Sequence, residues 1–134
     1  MATRGRIGIE LQDGSVLSSY HHWDSYPEWL GKTLVENYNT REKAAELIDG
    51  GDMSSCWADE IWGTKLPEGQ YAPEYYTERG ESIEANAPHL DQSLAEYLED
   101  GEEFAYLYTS AGWVCYDRHE FSDDAPEVVA IPAV

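Results

Sequence analysis

The N-terminal segment Arg6-Ile7-Gly8-Ile9-Glu10-Leu11 alternates in a two-residue period, which places Ile7, Ile9 and Leu11 on one face of a strand. Asp13-Gly14 follows as a turn signal, because glycine accepts positive φ and aspartate tolerates it. Ser15 to Tyr20 returns as a second strand, so residues 6–20 are expected to form a β-hairpin. The period then lengthens. Leu30, Leu34 and Tyr38 recur every four residues with Trp29 and Thr33 beside them, which predicts an amphipathic helix over 27–38. Pro27 suits its first position, where a missing N–H costs nothing, and Glu28 complements the positive end of the helix dipole. Asn39, with Glu42 three residues on, reads as the cap of a second helix, whose apolar face is Ala44, Ala45, Leu47 and Ile48. Gly50-Gly51 ends it, as a left-handed cap requires.

From Asp52 to Gln70 neither period holds, and Gly63, Pro67 and Gly69 punctuate the segment, which reads as a long loop with one helical turn. Tyr71 to Glu78 is expected as a strand, turning away at Arg79-Gly80-Glu81, and Asn86 to His89 as a linker. Leu90, Leu94, Tyr97 and Leu98 mark a third helix over 91–99. A second hairpin pairs 103–108 with 113–116 across Ser110-Ala111-Gly112, both arms rich in the aromatic and β-branched residues that a half-buried sheet prefers. Val128 to Ile131 is a candidate edge strand. These elements give an α+β fold in one domain over residues 1–134: an antiparallel sheet from two hairpins plus one strand, with about three helices packed on one face.

Composition adds two constraints. At 134 residues the chain is long enough to bury roughly 65–70% of its unfolded surface, and its 42% hydrophobic residues, with five Trp and ten Tyr, argue against disorder. No apolar run approaches the ~18–20 residues that span a bilayer, and nothing after Met1 reads as a signal peptide. Cys56 and Cys115 stand far apart, which suits free thiols in a reducing cytoplasm and leaves a single bridge between them as the alternative. The formal charge is −19, unevenly spread: residues 1–67 carry eleven acids against six bases, residues 68–134 sixteen against two. Such a field repels nucleic acid and anionic membranes and attracts basic protein surfaces. Solubility or salt adaptation, imitation of a phosphate backbone, and an acidic face for another basic partner all fit it.

The candidate chemistry is concentrated in Tyr20-His21-His22-Trp23-Asp24-Ser25-Tyr26-Pro27-Glu28-Trp29-Leu30-Gly31. His21, His22 and Asp24 have metal-ligand chemistry, but neighbours on a strand point to opposite faces, and a third ligand from Asp52, His89 or His119 has no supporting spacing. No metal or other cofactor is therefore expected. His22 oriented by Asp24 would serve as a general base, yet no nucleophile elbow or phosphate-binding glycine loop accompanies it, and no catalytic residue is assigned. The structural alternative has Trp23, Tyr26 and Trp29 plugging the hairpin onto the helices while His22 and Asp24 satisfy buried backbone groups. Gly51-Asp52-Met53-Ser54-Ser55 reads either as a turn or as a pocket lining, and Arg79 either as the partner of Glu78, Glu81 or Glu84 or as an anion anchor. The candidate ligand- or partner-binding set is His22, Trp23, Asp24, Tyr26, Asp52, Ser54 and Arg79. Asp91, Glu96, Glu99, Asp100, Glu102 and Glu103 form a candidate acidic face, with Glu96, Glu99 and Asp100 at i, i+3 and i+4.

The run Tyr20 to Pro27, followed by Gly31, Leu34 and Tyr38 and then by Gly51-Asp52-Met53-Ser54-Ser55, resembles a family of short tailed-bacteriophage proteins with an H-W-D-G-Y-P-type motif and a G-D-x-S-S element. Thr77-Glu78-Arg79-Gly80-Glu81 and the closing aromatic hairpin are similar too, so the resemblance covers roughly residues 6–117. Ser25 stands where the family pattern has Gly. The resemblance implies a setting, the cytoplasm of an infected bacterial host, and no activity. With the charge, it leads to the expectation of a non-enzymatic phage accessory protein for host takeover or anti-defence. Such a protein would bind a basic host protein, nucleic-acid-handling machinery foremost, by imitating nucleic acid, and would touch neither nucleic acid nor membrane directly. The alternative is a small-ligand, nucleotide-like binder or sequestering protein built on the aromatic motif. The oligomeric state stays open.

Overall fold

The computed structural model describes residues 3–100, 102–118 and 125–132. The expected hairpin is present, with β1 (Gly5–Glu10) and β2 (Val16–His21) paired antiparallel from Gly5 opposite His21 to Glu10 opposite Val16. Gly14 takes φ +85° at the turn, and Asp13 Oδ1 accepts the Ser15 N–H at 3.0 Å.

The segment expected as one helix over 27–38 is divided. Pro27–Gly31 is a single wide π-helical turn, in which the Tyr26 carbonyl accepts from the N–H groups of Trp29 and Leu30, and α1 occupies Lys32–Asn37. The wide turn sends Leu30 inward and Trp29 outward. Next, α2 (Arg41–Asp49) is capped by Thr40, whose hydroxyl accepts from Lys43 N–H at 3.1 Å, so the cap lies one residue beyond the expected Asn39.

The expected loop over 52–70 is instead largely strand. β3 (Met53–Ala58) continues the sheet parallel to β2, at His21 opposite Met53, through a crossover formed by α1 and α2. A two-stranded ribbon, β4 (Glu60–Ile61) and β5 (Thr64–Lys65), turns at Trp62-Gly63, where both residues have positive φ. β6 (Ala72–Tyr75) pairs with β3 across register shifts, and a 3-10 turn over Tyr76–Arg79 replaces the second half of the expected strand 71–78. The expected linker at 86–89 leads into β7 (His89–Asp91), which pairs with the start of β2, and α3 (Leu94–Asp100) begins later than the expected 91. β8 (Phe104–Thr109) and β9 (Gly112–Asp117) form the closing hairpin, and β10 (Glu127–Val129) lies at its edge.

The fold is α+β, with a mixed sheet larger than two hairpins and a strand. Its order is β10-β9-β8-β1-β2-β3-β6, with β7 beside β2, and β8 runs parallel to β1. The helices divide between the two faces. Ile7, Ile9, Met53, Phe104 and Tyr106 pack against Leu30, Leu34, Leu47 and Ile48 of the π-turn, α1 and α2. On the other face Val16, Ala105 and Leu107 pack against Tyr97, with Leu94 and Leu98 of α3 at the margin. Gly8 is what lets α3 approach: a Cβ there would lie 2.9 Å from both Tyr97 Cζ and Val16 Cγ1. Neither neighbour can yield cheaply, since both are fully buried and the Tyr97 hydroxyl donates to the Tyr106 carbonyl at 2.7 Å. Gly8→Ala should therefore lower stability by about 1–3 kcal/mol, read as a lower urea midpoint at unchanged slope; an unshifted midpoint would show that α3 is free to move.

Candidate functional site

His21 ends β2 and fixes everything around it. Its Nε2 accepts the Cys56 N–H at 3.1 Å, so the ring proton sits on Nδ1, which donates to Ser25 Oγ at 2.9 Å. Ser25 in turn donates its backbone N–H to Thr3 and accepts the Tyr106 hydroxyl at 2.7 Å on its carbonyl. Burial, helped by neighbouring His22, pulls the His21 pKa down to about 3. A histidine committed through both nitrogens and kept neutral is a structural tie. His21 and Ser25 thus perform the structural role expected of His22 and Asp24.

The aromatic residues do not plug the core. Trp23 is 48% exposed, Trp29 58% and Trp57 47%. The backbone N–H groups of His22 and Trp23 bond to Met53 and Ser54, which extends the β2–β3 pairing and stands Trp23 upright between two cavities. The first, of about 270 Å³, lies between Trp23, Trp29 and Trp57, with Asp24 at its rim and Leu30 and Cys56 at its floor. Trp57, stacked on Tyr71 at 4.7 Å, separates it from a further hollow of about 310 Å³ that reaches Tyr38. The second cavity, a broad groove of about 630 Å³, runs from Trp23 and Ser54 to Trp62, bordered by Asp59, Glu60, Glu74 and Arg79. Asp24 (φ +53°) and Trp62 (φ +46°) are the non-glycine residues with left-handed backbone among the described residues, and each borders one cavity. Such conformations cost energy and gather at functional sites. Trp62 is held there by its own bonds, N–H to Glu74 Oε2 and Nε1–H to the Tyr75 carbonyl.

Of the candidate binding set, Trp23, Ser54 and Arg79 meet in the groove, and Asp24 joins Trp23 at the smaller cavity. The other three are elsewhere. His22 turns its Nδ1 to the Tyr20 hydroxyl at 2.7 Å, and among the described hydrogen bonds none joins it to Asp24, so the general-base pair is not assembled. Asp52 caps the Tyr20 N–H at 2.9 Å, and burial raises its pKa against the effect of that bond. Tyr26 packs edge-on against Phe104. Arg79 is already matched: its guanidinium donates to Glu81 and lies 4.4 Å from the Trp62 ring centroid, which leaves it a poor anion anchor. No group of three or more metal-ligating side chains occurs among the described residues, and His119 lies outside them.

The candidate acidic face does not form one band. Asp91 is fully buried on β7, its Oδ1 3.3 Å from His89 Nε2. Glu96 folds back to accept the Gln92 N–H at 2.7 Å while Ser93 Oγ accepts the Glu96 N–H, so it caps α3. Arg118 closes the other end, donating to the carbonyls of Glu99 and Glu102. Glu99 is exposed and Glu102 and Glu103 half-buried, while the Asp100 side chain lies outside the described part of the structure. Trp29, Trp57, Trp62 and Tyr71 are the site residues that sequence reasoning missed. For Trp57 and Trp62 the signal was large rings in a segment, 52–70, with no apolar period to bury them, whereas Trp29 stood in the aromatic stretch and was read there as a plug. No protein-family model matches the chain, and no curated protein or solved structure matches it either.

The His21 tie has a pH signature. Its pKa is about 3 folded and about 6.5 unfolded, so the stabilisation is complete above about 6.5 and is lost as pH falls toward 3, when only the unfolded chain takes up the proton. Between pH 7 and 5.5 the parent should lose about 1 kcal/mol more than His21→Gln, whose amide cannot titrate, with all other groups cancelling in the comparison. Parallel pH profiles from urea denaturation would refute the neutral-histidine assignment.

Proposed function

We propose that the protein acts by binding, as a tailed-phage accessory protein that occupies a basic surface of a host protein in the infected bacterial cytoplasm. One observation carries the reading: the exposed aromatic surface around Trp23 is rimmed by Asp24, Asp59, Glu60 and Glu74, and the one cation bordering its cavities among the described residues, Arg79, is already engaged. Indole rings supply contact area at low entropic cost, and the carboxylates supply the sign of the partner. The formal charge of −19 gives the whole molecule the same sign. Nucleic-acid-handling proteins are the leading partners, since their grooves are built to receive negative charge. The nucleotide-binding alternative has little support, because among the described residues no unengaged cation borders either cavity to neutralise a phosphate.

Immobilised protein should capture a basic host protein from lysate at low ionic strength and release it as salt screens charges beyond roughly 10 Å. Duplex DNA should compete for the captured protein, and Trp23→Ala should weaken capture by tenfold or more, as loss of a central aromatic anchor does (~1.4 kcal/mol or above). Capture that ignores salt and Trp23, or no capture at all, would refute the reading.

A further inference from the structure

We propose that the cavity framed by Trp23, Trp29 and Trp57 is a receptor for one arginine side chain of the partner. The proposal rests on the basic-partner reading above and names its anchor. The polar inventory of the cavity points to a cation. Both nitrogens of His21 are committed, Thr33 Oγ1 donates to the Trp29 carbonyl, and Ser55 Oγ accepts the Trp57 N–H. The Cys56 thiol, pushed up to about 12 by burial, stays neutral. The charged group left on the lining is the Asp24 carboxylate. A phosphate or carboxylate ligand would find no counter-charge there, and the Thr33 hydroxyl proton is already given to backbone. A cation with a flat apolar body meets three indoles and one carboxylate on the lining.

The chain contains an internal copy of this arrangement. Arg79 lies over the Trp62 ring while its Nε donates to Glu81 Oε2 at 2.7 Å, so one guanidinium stacks on an indole and bonds a carboxylate at once. The cavity at Trp23 presents the same two elements, indole and carboxylate. Arginine suits it better than lysine because a planar fork can stack and donate together, whereas an ammonium is a compact, strongly hydrated point charge. The left-handed backbone at Asp24 sets the carboxylate at the rim, and asparagine adopts the same conformation readily.

The test is NMR titration of the indole Nε1–H signals with N-acetylargininamide, using N-acetylcitrullinamide as the uncharged isostere. Trp23, Trp29 and Trp57 should shift saturably with the arginine compound alone. Trp62 and Trp113, whose Nε1–H groups bond the Tyr75 and Tyr38 carbonyls, should stay still as internal references. Asp24→Asn should keep the fold and weaken binding roughly tenfold, as expected for loss of a charge-assisted bond. No saturable shift in the three indoles, an equal response to the citrulline compound, or unchanged affinity in Asp24→Asn would overturn the receptor. Lysate capture by Trp29→Ala separates this proposal from the one it rests on. Salt-dependent capture unaltered by that change removes the arginine receptor and leaves the basic partner standing, while arginine binding without any captured partner does the reverse.

Discussion

The structure depends on one neutral imidazole. His21 joins the end of β2 to the Cys56 amide of β3 on one side and to Ser25 on the other, and Ser25 is held to Thr3 and to the Tyr106 hydroxyl. The β2–β3 ladder has little else at this point, its register being the single pair His21–Met53 with two further amides beyond it. A buried donor or acceptor left unsatisfied here costs about 1–3 kcal/mol, and the lost geometry would be that of the loop carrying Trp23 and Asp24. The surface proposed to bind is therefore tied to the sheet by a group that stays neutral throughout the neutral range.

Around that tie the sheet is asymmetric in what it supports. One face carries the π-turn, α1 and α2, and the edge of that layer delivers Trp29 to the cavity. The other face carries α3, pressed so close that only glycine fits at position 8. Charge follows the same division of labour. Asp91 and Glu96, acidic by composition, are used to build the α3 layer, whereas Asp24, Asp59 and Glu60 stand at the rims of the cavities.

What the sequence made legible was local. Alternation in Ile7-Gly8-Ile9 and the glycine at 14 specified the first hairpin, the four-residue spacing of Leu30 and Leu34 specified a helical segment, and the closing hairpin followed from its aromatic arms. What stayed hidden depended on distant partners. Met53–Ala58 is a strand because β2 and β6 flank it, and its bulges destroy the alternation that would have revealed it. Glu96 looked like free surface charge because its acceptor role is set by a turn in the backbone. Trp23 was legible as a site residue from its dense neighbourhood, but Trp57 and Trp62 gained their meaning only when β3 and the β4–β5 ribbon brought them beside it.

The parallel pairing of β1 with β8 has a consequence for the order of assembly. Gly5 lies beside Phe104 and Ile9 beside Tyr108, so neighbours at the centre of the sheet are about a hundred residues apart in sequence. During synthesis the β1–β2 hairpin can form early, but the outer edge of β1 has no partner until the ribosome has released β8. Contacts of such separation slow folding, because the loop must close before pairing compensates its entropy. In that interval the nascent chain presents an open strand edge and the unfilled pockets of both cores. The arginine-poor, carboxylate-rich surface then has a second use: mutual repulsion between half-made copies keeps those edges from finding one another.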